Sequence, residues 1–265
     1  MLGHILLKKL EANESFEVYD LTRLKQNRPN NVACDVINFD SLFKIIKKIK
    51  PNIIVNCIGV LINNAKNDPS NAILVNSVLP NKLVHFSKFL EAKLIHISTD
   101  CVFDGLKGEY IETDIKTAQD IYGLSKSLGE IIDDKNLTLR TSIIGPELKN
   151  NGEGLFSWFI NQKGEVNGFT ESIWGGVTTL VLSDVIIKSI KDDLTGLIHV
   201  TNGESISKFN LLNLIKEKFS LTNIKLASVP GKKSDKSLKT IYNYFDIPIY
   251  EDMISEMRKF YLENY

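Results

Sequence analysis

The sequence predicts an α/β protein, a doubly wound parallel sheet with a small C-terminal lobe. Short β-branched runs, helical patterns between them, and polar residues where the runs end carry that prediction. The runs are Ile53–Ile58, Leu94–Ser98, Leu137–Thr141 and Leu197–Val200. They are mostly apolar or β-branched, as strands covered on both faces are, and helices alternating with such strands imply βαβ units. The helical patterns are Met1–Leu10, Ser41–Lys50, Leu79–Ala92, Ser125–Ile132, Leu180–Ile190, Ser207–Phe219 and Glu251–Glu263. Asp40 and Ser41 are placed to cap one helix and Ser207 another, while Pro51 stops the first of these.

Residues 1–146 read as a nucleotide-binding core. Residues 147–265 read mainly as a substrate lobe, with about 177–202 returning to the core. Glu147–Gly176 is rich in glycine and holds both tryptophans, so it reads as loops and short elements. With 32 Lys+Arg against 32 Asp+Glu in 265 residues, there is no basic excess for nucleic acid or a membrane surface. No apolar run approaches the roughly 18 residues of a membrane span. Three dispersed cysteines suggest neither a disulfide framework nor a zinc site, so no metal is expected and a cytoplasmic setting is. In a dinucleotide-binding sheet the first strand leads into a glycine-rich turn. That strand is expected to be missing from this sequence, with Gly3 as the last glycine of the turn.

The most informative spacing is Tyr122-Gly-Leu-Ser-Lys126. Residues four apart share a helix face, so a phenol and an ammonium can meet one ligand. For tyrosine to act as acid or base near pH 7 its pKa must fall by some 3 units, which a neighbouring lysine and a cationic nicotinamide are suited to provide. Alone, the pair is commonplace on surface helices. Upstream, Leu94-Ile-His-Ile-Ser-Thr-Asp100 ends a buried strand in hydroxyls and a carboxylate, and Ile53–Gly59 ends another in glycine. Ligands collect outside the carboxyl ends of such strands, so these residues are expected at one site.

With Met1-Leu-Gly3, Val55-Asn-Cys-Ile-Gly59, Ser98-Thr-Asp-Cys-Val-Phe-Asp-Gly105, Tyr122-Gly-Leu-Ser-Lys-Ser-Leu-Gly-Glu130 and Leu139-Arg-Thr-Ser142, the chain resembles an extended short-chain dehydrogenase/reductase with a Rossmann-type core. Within that group it resembles the dTDP-4-dehydrorhamnose reductase family. The resemblance implies a catalytic trio of Thr99, Tyr122 and Lys126, with Tyr122 as proton donor, Lys126 on the nicotinamide ribose and Thr99 on the carbonyl. It places Met1, Leu2 and Gly3 by the pyrophosphate, Asp35 and Val36 by the adenine, and Cys57, Ile58 and Gly59 beneath the adenosine ribose and pyrophosphate. Asp100, Ser142 and Trp174 fall on the substrate side, Trp174 with a face suited to a nucleobase. Phe156, Trp158 and Phe159 read instead as lobe core, and His4, His85 and His96 as packing or surface residues.

Asp20, placed to accept from a ribose 2′-OH, favours NAD, and Arg23, placed to pair with a 2′-phosphate, favours NADP; NADP(H) is slightly preferred. Cys101, Ile143 and Val60–Ala65 depart from the rhamnose reductases at pocket positions. A UDP-linked 2-acetamido-4-keto-6-deoxyhexose therefore fits the resemblance as well as dTDP-4-dehydrorhamnose does. The implied activity is NAD(P)H-dependent reduction of the C4 ketone of such a sugar for surface polysaccharide, with a homodimer compatible. The alternatives are an epimerase with tightly bound NAD and a non-catalytic, NADP-binding regulatory subunit.

Overall fold

The computed structural model describes residues 1–148 and 152–265. The first half runs α1 (Leu2–Glu11), β1 (Asp20–Thr22), β2 (Asn31–Ala33), α2 (Phe39–Ile49), β3 (Ile53–Asn56), α3 (Ile62–Asn67), α4 (Pro69–Ile73), a π-turn (Leu74–Val78) and α5 (Leu79–Phe89). Next come β4 (Lys93–Thr99), a 3₁₀ turn (Asp100–Val102), α6 (Ile121–Leu128), β5 (Leu137–Thr141), β6 (Ile143–Ile144), α7 (Leu155–Ile160), β7 (Gly164–Phe169), β8 (Ser172–Trp174) and β9 (Val177–Thr178). The chain closes with α8 (Thr179–Lys191), β10 (Gly196–His199), β11 (Ile206–Ser207), α9 (Lys208–Lys218), β12 (Ile224–Val229), β13 (Ser234–Asp235) and α10 (Tyr250–Asn264).

The main sheet is parallel, in the order β10-β5-β4-β3, and β1 and β2 form a second parallel pair. Its two faces are separated within one strand. Leu94 packs with Leu42 of α2 and with Leu79, Leu83 and Phe86 of α5. Ile95, the next residue, packs with Ile5 of α1 and Val185 and Ile186 of α8. Successive strand residues point to opposite faces, so this alternation is the doubly wound arrangement itself. Each fully buried aliphatic contributes about 1.5–3 kcal/mol.

Several boundaries differ from expectation, each for a local reason. Asn38, not Asp40 or Ser41, caps α2, its side chain accepting the Ser41 amide. Helix α6 starts at Ile121 because Asp120 accepts the Gly123 amide. Helices α3 and α4 were unforeseen; Asp68 caps the second, with Pro69 following. Ser207 caps α9 as expected.

Beyond the main sheet lie β7 paired with β12, the order β11-β8-β13, and β6 paired with β9. Phe156, Phe159, Leu211 and Met253 belong to the same buried cluster as Ile5 and Leu137 of the first half. Residues 105–110 and 234–239 are laced together. The Asp235 amide donates to Gly105 O, Tyr110 N to Ser237 O, and Lys239 N to Tyr110 O. Among the described residues, no helix is long and apolar enough to cross a membrane.

Candidate active site

A cleft of about 1790 Å³ opens at the carboxyl ends of β3 and β4 and at the start of α1, larger than the roughly 300–1,000 Å³ common for small-molecule sites. Thr99, Asp100, Tyr122, Lys126 and Ser142 all line it. So do Met1, Leu2 and Gly3 from the other side, with Asp20, Val36 and Cys57 to Gly59 along its length. Residues far apart in the sequence therefore share one cavity.

Two glycines set α6 against its neighbours. A Cβ on Gly123 would stand 2.2 Å from Cys101 O, and one on Gly129 1.9 Å from Asn76 O. Their bare backbones let the helix lie on the turn after Thr99 and on the π-turn. Asn76 then ties the loop after Gly59 to the helix, accepting Val60 N at 2.8 Å and donating to Ser125 Oγ at 3.1 Å. Ser77 Oγ donates to Ser125 O at 2.6 Å. Neither Asn76 nor Ser77 stood out in the sequence, because a π-turn has no simple residue signature.

Lys126 is buried, and its Nζ donates to Ile97 O at 2.7 Å. An ammonium has three donors, so its remaining N–H groups suit ribose hydroxyls. Burial lowers its pKa to about 8, with the Glu130 charge pulling the other way. Burial also dominates at Tyr122, whose pKa rises where the sequence led one to expect a fall. The nearby Cys101, Asp100 and Asp120 add to that rise, while a hydrogen bond with Thr99 opposes it. Thr99 Oγ1 donates to Asp100 Oδ1 at 3.0 Å and accepts Cys101 N at 3.1 Å, which fixes its rotamer. Burial raises the Asp100 pKa, against the charges of Lys236 and Lys208. The Cys57 and Cys101 thiols are pushed up to about 12, chiefly by burial, and are neutral at pH 7.

Three expected ligand residues lie elsewhere. Trp174 is 7% exposed, donates Nε1–H to Ser142 Oγ at 2.8 Å and tilts against Tyr250; it belongs to the lobe core and anchors Ser142. Arg23 and Asp35 are exposed and not among the cleft-lining residues. The cation beside Asp20 is Arg28, whose Nη2 meets Asp20 Oδ2 at 2.5 Å while Asn31 Nδ2 donates to the same oxygen at 2.8 Å. Phe156 and Phe159 are fully buried in the core, whereas Trp158 is 42% exposed.

The start of α1 carries no acidic residue in its first turn, and helix N-termini favour anions such as a pyrophosphate. Together with the donors left on Lys126 and the length of the cleft, this fits a dinucleotide. The fold and this arrangement define an extended short-chain dehydrogenase/reductase. The profile described as "RmlD substrate binding domain" matches residues 1–240, and the chain belongs to that family, the dTDP-4-dehydrorhamnose reductase-like branch of the class.

Among relatives, the dTDP-4-dehydrorhamnose reductase of Aggregatibacter actinomycetemcomitans is 35% identical over 156 residues, which is 57% of this chain and 50% of that protein. The chain thus spans about half the length of that relative. A structure of a hypothetical dTDP-4-dehydrorhamnose reductase from Sulfolobus tokodaii superposes with a TM-score of 0.76 at 30% identity, covering 89% of this chain and 88% of that one. The dTDP-4-dehydrorhamnose reductase of Bacillus anthracis str. Ames, solved in complex with NADP, gives a TM-score of 0.82 at 23% identity, covering 100% and 96%.

Proposed function

We propose that the chain is an NAD(P)H-dependent reductase acting on the C4 ketone of a nucleotide-linked 4-keto-6-deoxysugar. The observation that carries this reading is the convergence of Thr99, Tyr122 and Lys126 on one dinucleotide-sized cleft. When bound, the dihydronicotinamide supplies the hydride. Tyr122 delivers its phenolic proton to the ketone oxygen. A proton donor must be protonated before it acts, and the raised Tyr122 pKa keeps the phenol neutral at physiological pH. Lys126 holds the ribose hydroxyls, and its ammonium stabilises the phenolate left behind. Thr99 turns its hydroxyl from Asp100 to the ketone and orients it.

Arg28, half-buried along the cleft, supports a 2′-phosphate and hence NADP(H). Cys101 and Ile143 line the cleft with side chains smaller than an aromatic ring, which supports a UDP-linked 2-acetamido-4-keto-6-deoxyhexose alongside dTDP-4-dehydrorhamnose. Reduction of such sugars for surface polysaccharide in the cytoplasm completes the reading. Asp100 stands beside Thr99 with Cys101 next to it instead of a second acid, which favours reduction over dehydration.

A screen of nucleotide 4-keto-6-deoxysugars with NADPH and NADH tests the proposal. NADPH oxidation equal to the alcohol formed is expected, and Tyr122→Phe is expected to lower turnover by about 10²–10⁴ with dinucleotide binding kept. Full turnover in that variant removes Tyr122 as donor. Sugar inversion without net change at 340 nm identifies an epimerase instead.

A further inference from the structure

The proposed chemistry needs Thr99 on a strand and Tyr122 and Lys126 on a helix to keep a fixed separation. One side chain joins the two elements. Glu130 follows the Gly129 cap of α6, one turn beyond Lys126, and its side chain is fully buried. Its Oε1 accepts from Ser98 Oγ at 2.7 Å and from Arg140 Nε at 2.8 Å. Its Oε2 accepts from Arg140 Nη2 at 2.8 Å and faces Lys116 Nζ at 3.2 Å. Ser98 immediately precedes Thr99 and pairs with Arg140 across the sheet. Arg140 is itself fixed, its Nη1 at 2.8 Å from His199 Nε2 and its guanidinium 5.1 Å from the centre of the Phe103 ring.

Two ionised groups buried this deeply are a poor way to gain stability, since apolar side chains of similar volume serve as well. What the pair supplies here is geometry. We propose that Glu130 is a positioning residue of the reductase site, its buried carboxylate fastening the helix of Tyr122 and Lys126 to the strand end of Thr99. The inference rests on the function proposed above, and it has a consequence that requires no turnover. The Glu130 charge acts on the buried Lys126 ammonium and favours its protonated form. The other groups facing this pair are Arg140 from β5, Lys116 from the preceding loop, and His96 from β4, which burial and Lys126 hold neutral.

The test compares Glu130→Gln, Glu130→Asp and Ser98→Ala in the full chain. Titration of Lys126 Nζ is followed by NMR of lysine-labelled protein, with kcat and KM measured alongside. In Glu130→Gln, Lys126 is expected to titrate at lower pH, with kcat down about tenfold or more, as small misplacements at a reacting centre cause, and KM little changed. Glu130→Asp keeps the charge and restores the titration without restoring kcat. Ser98→Ala leaves the ion pair, and so the fold and the titration, intact, and lowers kcat alone. Wild-type kcat in both Ser98→Ala and Glu130→Gln, or an unmoved Lys126 titration in Glu130→Gln, overturns the proposal. Absence of NAD(P)H oxidation by the wild-type chain overturns the reductase reading instead, while an unmoved Lys126 titration in Glu130→Gln still overturns this one.

Discussion

At Tyr122 and Lys126, burial outweighs partnership. The pair Tyr122 and Lys126 was legible from its spacing, but the direction of the tyrosine shift was not. Spacing shows that a lysine is near; it does not show that its ammonium turns to Ile97 O while the phenol sits beside Asp100 and Cys101. Lys126 carries a testable cost. Its folded pKa of about 8 lies below the usual 10.5, so keeping it charged opposes folding in full below about pH 8, and the penalty fades as pH rises toward 10.5. That gap corresponds to about 3 kcal/mol at most. Lys126→Met is therefore expected to abolish turnover yet raise Tm at pH 7, an advantage that thermal melts should show shrinking by pH 10. Asp20 illustrates the same limit of sequence reading. The nearer cation, Arg23, points to solvent, and the turn between β1 and β2 brings round Arg28 in its place.

Among the elements, the four strands of the main sheet were read closely, because strands covered on both faces carry mostly apolar or β-branched residues. Helix α6 was read late, starting at Ser125, because Gly123, a poor helix former, interrupts the four residues between the cap at Asp120 and Ser125. Its placement depends on Gly123 and Gly129, which appeared in the sequence only as motif letters. Gly123→Ala puts a methyl against the Cys101 carbonyl and Ala118. It is expected to cost about 1–3 kcal/mol, read by urea unfolding, and to lower kcat with KM nearly unchanged, since Tyr122 is displaced along with the helix. Strand β7, with glycine at both Gly164 and Gly168 and charge between, lacks the signature of a strand. Its partner β12, across six paired positions, supplies the order that its own composition does not.

Across the whole molecule, the core and lobe read from the sequence share one buried cluster, so packing is continuous across residue 146. Long-range contacts of this kind leave no local trace. Neither do the buried carboxylates that bind the halves. Glu112 accepts the His199 amide, the Thr240 hydroxyl and the Ile241 amide. Although burial pushes the pKa of Glu112 up, these bonds and the His199 charge hold it below its ordinary value. Glu130 is held down likewise by Arg140, against its own burial. A carboxylate with a depressed folded pKa adds stability that is present above its unfolded value, near 4.5, and lost as pH falls through the folded one. Tm of the wild type should therefore fall steeply below about pH 4.5, and Glu112→Gln should be less stable at pH 7 with a shallower decline.

The lacing of residues 105–110 to 234–239 bears on attempts to exchange parts of this fold between relatives. The loop that follows the 3₁₀ turn and the 234–239 segment are stitched by main-chain bonds running in both directions, so each fits only a partner of matching backbone path. A chimera that imports a foreign 234–239 segment must bring the matching loop with it, or the graft will leave buried main-chain amides without partners.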